Sequence, residues 1–339
     1  MKGFLYNAAI FLLIWIFIFS ALYTVIPRKY YASYEYELQT TLYKKITAGG
    51  LKGNVIIGDS KTQLGLDARN LHATNLCMGG VSPVEGYYQL RLLLQNPTNK
   101  VDTVFISYTL THLVSQYFFY TGSYYNGIIP TSYLDSVRVL ARQYNDENYA
   151  LSHYDFSTPL DIAFNDPVLS SKIRVVKDFV IGGLNSAYVY LRNNSNPLAF
   201  TGTSHPINGN TQLTYGRVVG LSTDSVLYKR SAEKPLYEEE LSNIKTSVVN
   251  KIYLQKMLDL CNEKNVTAFF IMMPSQRSAA DSMLEKQVAE LDKQFGKNFI
   301  YDTAFYSDAS FRDQGGHLNV YGVQKFQSFI LAKLYGKAR

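Results

Sequence analysis

Cysteine is nearly missing from this chain. Cys77 and Cys261 are the two present in 339 residues. Two cysteines allow at most one disulfide, so a disulfide framework is excluded, and nothing in their spacing reads as a metal site. No cofactor is expected, and both cysteines are expected to act as small buried hydrophobes. A strong excess of one charge is also missing. The net charge is +6, and the Lys and Arg residues are scattered without forming a stripe, which argues against a nucleic-acid partner. There is no internal repeat and no low-complexity tract. The length suffices to bury a full core, as one large domain or two small ones.

Aromatic residues are plentiful, with 28 tyrosines and 19 phenylalanines. Many of the tyrosines fall between Tyr117 and Tyr190. The first stretch of the chain is of another kind. From Phe4 to Ile26 it carries one amide, Asn7, and no charge, long enough to cross about 30 Å of hydrocarbon as a helix. A signal peptide has a shorter apolar core and a small-x-small cleavage site, for which Ser20-Ala21-Leu22 is a poor match. Residues 1–28 therefore read as an uncleaved transmembrane anchor. Arg28 and Lys29 behind the apolar run oppose the usual positive-inside preference, so charge alone leaves the orientation open. Residues 29–50, rich in Tyr, Lys and Glu, suit a juxtamembrane helix or stalk that ends at Gly49-Gly50.

An α/β rhythm begins at residue 51. Short apolar runs at Val55–Ile57, Thr103–Ser107, Val266–Met273 and Phe299–Tyr301 read as strands. Ser82-Pro83-Val84-Glu85 is a helix start, with Ser as N-cap, Pro at the first helical position and Glu three residues after the cap. That helix runs to about Gln95. Further helices are expected from the apolar spacing that begins at Ile244 to about Asn262, over about Ala279–Phe295, and over about Val320–Leu334. Strands separated by helices of this length predict a doubly wound parallel sheet with helices on both faces. The rhythm is lost over about 114–236, which reads as a tyrosine-rich insertion. It is either a unit with its own aromatic core or a platform for stacking sugar rings, since tyrosine offers an apolar face with a polar tip.

Two distant segments carry the chemistry. Gly58-Asp59-Ser60 follows the first strand, and the glycine permits a turn that presents Ser60 at the strand tip. Asp313-Gln314-Gly315-Gly316-His317-Leu318-Asn319 precedes the last helix. Serine, histidine and aspartate are the groups needed for nucleophilic acyl transfer: histidine takes the hydroxyl proton and aspartate holds the imidazole in the right tautomer. The structural alternatives are a helix-capping Ser60, a turn-forming Asp59 and a surface His317. His112 reads as structural sooner than catalytic. His72, His153 and His205 have no evident partner.

Together these residues resemble the SGNH (GDSL-like) hydrolase superfamily, and within it the membrane-anchored bacterial branch that includes alginate and teichoic-acid modification proteins. Ile57-Gly58-Asp59-Ser60 matches the family's first block, whose serine is the nucleophile. Asn75 to Gly80 has the spacing of the second block, which implies Gly80, with Gly79 in reserve, as a backbone oxyanion-hole donor beside the Ser60 amide. His317-Leu318-Asn319, followed by Gly322, fits the last block. There are two departures. Asp313 and His317 have three residues between them where the family has two, and Asp308 or Asp302 is the alternative partner for His317. The third block has no Asn: Ser107-Tyr108-Thr109-Leu110-Thr111-His112 stands there, leaving Thr111 or His112 as the substitute donor. The resemblance covers roughly 51–113 and 240–335.

The resemblance implies a serine-dependent acyl transfer, usually of acetyl, to or from a cell-surface glycan. Ser60 would carry the acyl group, His317 would be base then acid, and Asp313 would orient it. The bulk of the chain would lie outside the cytoplasm, and a multispanning membrane acyltransferase would be the partner that supplies acyl groups. The rivals are a non-catalytic glycan-binding or assembly protein with a degenerate SGNH site, and a membrane scaffold.

Overall fold

The computed structural model describes residues 2–25, 36–109, 112–113, 119, 123, 127–146, 148–149, 212–214, 217–219, 247–274, 281–302, 310 and 317–336. Lys2–Val25 is one helix, α1, with Tyr6, Phe11, Leu12, Trp15 and Phe17 all exposed. Among the described residues no helix is long and apolar enough to cross a membrane; the unbroken run of described side chains in α1 is 6–18. A second helix, α2 (Tyr36–Ala48), lies where a juxtamembrane helix or stalk is expected from composition. It is instead part of the folded domain. Leu42, Tyr43 and Ile46 are buried in one cluster with Leu90 and Leu93. Burying Leu42 and Ile46 alone is worth roughly 1.5–3 kcal/mol each, so the domain begins before residue 51.

The four expected strands form, joined by a short fifth at 73–75; those expected at 55–57 and 103–107 extend beyond their apolar runs, while that at 266–273 is one residue shorter at each end. They are β1 (Lys52–Gly58), β2 (Ala73–Asn75), β3 (Lys100–Tyr108), β4 (Thr267–Met272) and β5 (Phe299–Tyr301). They make one five-stranded sheet in the order β2-β1-β3-β4-β5, and every pairing is parallel. A separate antiparallel hairpin pairs Gln212–Thr214 with Arg217–Val219. Side chains alternate across a strand, and here both faces are apolar. Val55, Ile57, Val104, Ile106, Phe270 and Met272 lie in one cluster, while Ile56, Phe105, Ile271 and Ile300 lie in another. A parallel sheet needs helices on both sides to bury such strands.

The first cluster is covered by α2, α4 (Pro83–Gln95), α6 (Val248–Glu263) and α7 (Asp281–Phe295), through residues such as Leu90, Leu254, Met257 and Leu291. The second is covered by α8 (Val320–Tyr335), through Val323, Phe326 and Ile330. Between these elements stand the short helix α3 (Ser60–Gly65) and α5 (Thr131–Gln143). The α4 start has the expected chemistry in full. The Ser82 hydroxyl accepts from Val84, Glu85 reaches back to the cap, and Pro83 opens the helix. Cys77 and Cys261 are buried free thiols, one in each cluster, as their small apolar character predicts.

The described part of the insertion contributes most of a third buried cluster, which it shares with the α/β domain. Phe119, Tyr133, Leu134, Val137 and Tyr149 pack with Val84 of α4 and with Val249 and Tyr253 of α6. Tyr133 and Tyr149 are buried, so neither offers a face to a sugar ring. Tyr144 is exposed, while Tyr117, Tyr120, Tyr124, Tyr125 and Tyr154, and the stretch from Pro167 to about Ile181 whose sequence suggests a helix, lie outside the described residues.

Candidate active site

In a sheet ordered 2-1-3-4-5, ligands bind beyond the carboxyl ends of the strands, where the winding reverses between β1 and β3. Ser60 sits there. β1 ends at Gly58, Asp59 caps α3, and Ser60 is the first residue of that helix. Its amide therefore belongs to the first-turn N–H groups that have no acceptor within the helix. The approach of β1 to β3 is close: a Cβ on Gly58 would lie 2.0 Å from the Ser107 carbonyl oxygen. Ser60 is half-buried.

His317 comes from the far end of the chain. Its Nε2 lies 3.3 Å from Ser60 Oγ, across 257 residues of sequence. The segment is fixed by α8. Leu318 is buried in the second core cluster. The Asn319 side chain caps the helix by accepting from Gly322 N at 3.0 Å, and Asn319 N donates to Ser310 O at 2.9 Å. Gly322 is required by this contact, because a Cβ there would stand 2.2 Å from the Ser310 carbonyl oxygen and 2.9 Å from Leu318. Gly322→Ala is expected to push α8 off this loop and lower stability by about 1–3 kcal/mol. Thermal unfolding reads it, and an unchanged midpoint would remove the contact from the account.

Gly80 is placed beside the same strand tip. Leu76 N donates to Ile56 O at 2.8 Å and Met78 N to Gly58 O at 3.0 Å, so the chain after β2 runs along β1 to its end and turns at Gly79-Gly80. Gly80 has φ 67°, a left-handed conformation that disfavours a side chain. Asn75, buried beneath this turn, accepts from Cys77 N at 3.0 Å. Of the remaining candidates, Asp313, Asp308 and Thr111 lie outside the described residues, and Asp302 follows the last residue of β5.

The strongest polar feature here is one that sequence reasoning missed. Asp59 is fully buried. Its Oδ1 accepts from Thr62 N at 3.0 Å and Thr62 Oγ1 at 3.1 Å. Its Oδ2 accepts from Thr109 N at 2.9 Å, Thr109 Oγ1 at 2.8 Å and His112 Nδ1 at 2.7 Å. Facing a carboxylate, Nδ1 carries the proton. Burial alone would push the Asp59 carboxyl up. The His112 charge and hydrogen bond, with the amides of Thr62 and Thr109, outweigh burial and hold it below the usual carboxylate range. The signal for this pair was adjacency: Gly58 pairs with Ser107, so the residues just past β1 must meet those just past β3. His112 Nδ1 is thus committed to Asp59.

Chemically, an imidazole nitrogen within reach of a serine hydroxyl, at the crevice end of a parallel sheet, can activate that hydroxyl as a nucleophile. Cys77 is no rival nucleophile, because burial and the nearby Asp59 push its thiol up. Among the described residues no group of three His, Cys, Asp or Glu side chains could hold a metal ion. No protein-family model matches this chain, and no curated protein matches it either.

Proposed function

We propose that this chain carries out serine-dependent acyl transfer of the SGNH type on a cell-surface glycan. The observation that carries the proposal is the approach of His317 Nε2 to Ser60 Oγ at 3.3 Å. Ser60 Oγ attacks an acyl carbonyl, and its proton passes to His317 Nε2. The Ser60 amide and the Gly80 turn receive the oxyanion, and the leaving alcohol takes the proton from His317 as the acyl-Ser60 ester forms. A sugar hydroxyl or water then reverses the sequence, giving O-acylation or hydrolysis. Asp313 orients His317 in this scheme, and Thr111 supplies the third-block donor. The uncharged run from Phe4 to Ile26, with its apolar side chains exposed along α1, supports a membrane anchor that keeps the domain near lipid-linked or wall-linked glycan outside the cytoplasm. A multispanning membrane acyltransferase is the partner that would deliver the acyl group.

The full chain in detergent, treated with a fluorophosphonate and read by intact mass, tests the proposal. Ser60 Oγ forms a bond to phosphorus and fluoride leaves with the proton as HF. One adduct is expected, absent in Ser60→Ala and reduced by about 10³-fold or more in rate in His317→Ala. A folded wild-type protein that takes no adduct rejects acyl transfer and favours the glycan-binding reading.

A further inference from the structure

A chain of buried hydrogen bonds runs from α4 to the loop that carries His112. Asn250, fully buried in the first turn of α6, is its centre. Asn250 Nδ2 donates to the carbonyl oxygens of His112 at 3.2 Å and Leu113 at 3.1 Å. Asn250 Oδ1 accepts from Tyr149 OH at 2.7 Å. Tyr149 OH also lies 2.8 Å from Ser82 Oγ, and Ser82 N donates to Glu85 at 2.8 Å. Ser247 Oγ, which caps α6, accepts from Asn250 N at 3.0 Å and donates to Asp146 at 2.7 Å.

The amide orientation is dictated by its neighbours. Two backbone carbonyls can only accept, so they require the NH₂ group, while the phenol supplies a proton to the oxygen. The grip falls on the two residues that follow Thr109 and Leu110–Thr111 in the β3 exit loop. One of them is the histidine bound to Asp59 at 2.7 Å, and Asp59 is the residue before Ser60. The insertion thus reaches the strand tip through Tyr149, then Asn250, then the His112 backbone, then the Asp59 carboxylate.

We propose that Asn250 is a positioning residue for the Ser60 centre, clamping the β3 exit loop so that His112 and Asp59 hold Ser60 in its attacking orientation. The inference rests on the acyl-transfer reading. Asn250 touches no reacting atom; it sets the backbone on which His112 is mounted. Tyr149 is the part of the tyrosine-rich insertion that keeps Asn250 in register.

Asn250→Asp is the sharpest variant. It keeps the shape and turns an NH₂ group facing two carbonyl oxygens into a carboxylate oxygen, so the clamp becomes repulsive. Tyr149→Phe keeps the ring and removes the hydroxyl. Both are made in the full chain, and the fluorophosphonate inactivation rate is separated into its binding constant and its maximal rate, with circular dichroism as the check on folding. A positioning role predicts that the maximal rate falls by about 10–100-fold in Asn250→Asp, and by several-fold in Tyr149→Phe. The binding constant should stay within about twofold. A role confined to stability predicts a lower thermal midpoint with an unchanged maximal rate in the folded fraction, and that result overturns the proposal. Should Asn250→Asp fail to fold, Tyr149→Phe decides on the same criterion. A wild-type protein that takes no adduct removes the acyl-transfer reading and this inference together; a reactive wild type with unaffected variants removes this inference alone.

Discussion

Truncation of Asp59 to alanine is expected to destabilise the protein by about 3–5 kcal/mol, the scale of breaking a buried ion pair from one side. Against a total of roughly 5–15 kcal/mol for a folded domain, that is a large share. Five donors converge on this carboxylate, from Thr62, Thr109 and His112, and all three residues are buried. Each unsatisfied buried donor costs about 1–3 kcal/mol, although the loop after β3 will relax and recover part of the loss. Asn is a poor rescue, since its NH₂ group would face donors on whichever side it is placed. The neighbouring Ser60→Ala, at a half-buried position, should change stability by less than about 0.5 kcal/mol. Urea unfolding of the two variants side by side measures the contrast. An Asp59→Ala protein within about 1 kcal/mol of wild type would mean that the clamp between β1 and β3 contributes little. The same carboxylate sets an acid limit. Its folded pKa lies below its unfolded value, so its contribution is present above about pH 4 and is withdrawn as the pH falls further.

Glu85→Gln is expected to flatten the dependence of stability on pH between about 5 and 7.5. Glu85 is as buried as Asp59, and its pKa moves the other way, from 4.5 up to about 7. The cause is burial, which the hydrogen bonds from Ser82 and Ser123 offset only in part. Among the described residues no cation offsets this burial as His112 does for Asp59. Two buried phenols, Tyr43 and Tyr108, lie close enough for its charge to raise their own pKa values. The folded protein keeps the Glu85 proton after the unfolded chain has released it. Stability from this group is therefore full below about pH 4.5 and declines as the pH rises to 7, by on the order of 3 kcal/mol. Glutamine keeps an acceptor for the Ser82 amide and carries no proton to lose. Urea midpoints at pH 5, 6 and 7.5 should fall with pH in wild type and stay level in the variant. Parallel slopes in the two proteins would show that another group sets the pH dependence.

The strands and helices that could be read from the sequence were those whose local chemistry was complete. Val55–Ile57, Thr103–Ser107 and Val266–Met273 announce buried strands by unbroken apolar runs, and Ser82-Pro83-Val84-Glu85 spells out a helix start that the structure forms bond for bond. The α2 helix was expected as a juxtamembrane helix or stalk, and its Tyr, Lys and Glu content gave no hint that it packs into the domain. Its buried positions, Gln39, Leu42, Tyr43 and Ile46, have the i, i+3, i+4, i+7 spacing of a packed face, and that spacing was the better guide. Ser60 and His317 were legible because each sits in a short motif at an element boundary, and the structure brings them to 3.3 Å. The Asp59–His112 pair was not legible in the same way. Neither residue has a local motif for the other; the pairing exists only once β1 and β3 are neighbours. The clamp at Asn250 is further removed still, because it joins three segments whose adjacency no single stretch encodes.

The separation of Ser60 and His317 along the chain has a consequence for biosynthesis. The sheet strands β1, β2 and β3 leave the ribosome well before α8, and Ser60 leaves with them. His317 arrives only with α8, which ties back to the segment after α3 through Gln327, whose side chain accepts from Asp67 N at 3.0 Å. Contacts of this sequence separation are the slow ones to close. A nascent chain stalled before α8, or a product shortened past His317, therefore lacks the imidazole that lies 3.3 Å from Ser60 Oγ, together with the helix cap at Asn319 and the hydrophobic face of Val323, Phe326 and Ile330. On the proposed acyl-transfer reading, reactivity at Ser60 is in this way acquired only once α8 has docked on the sheet.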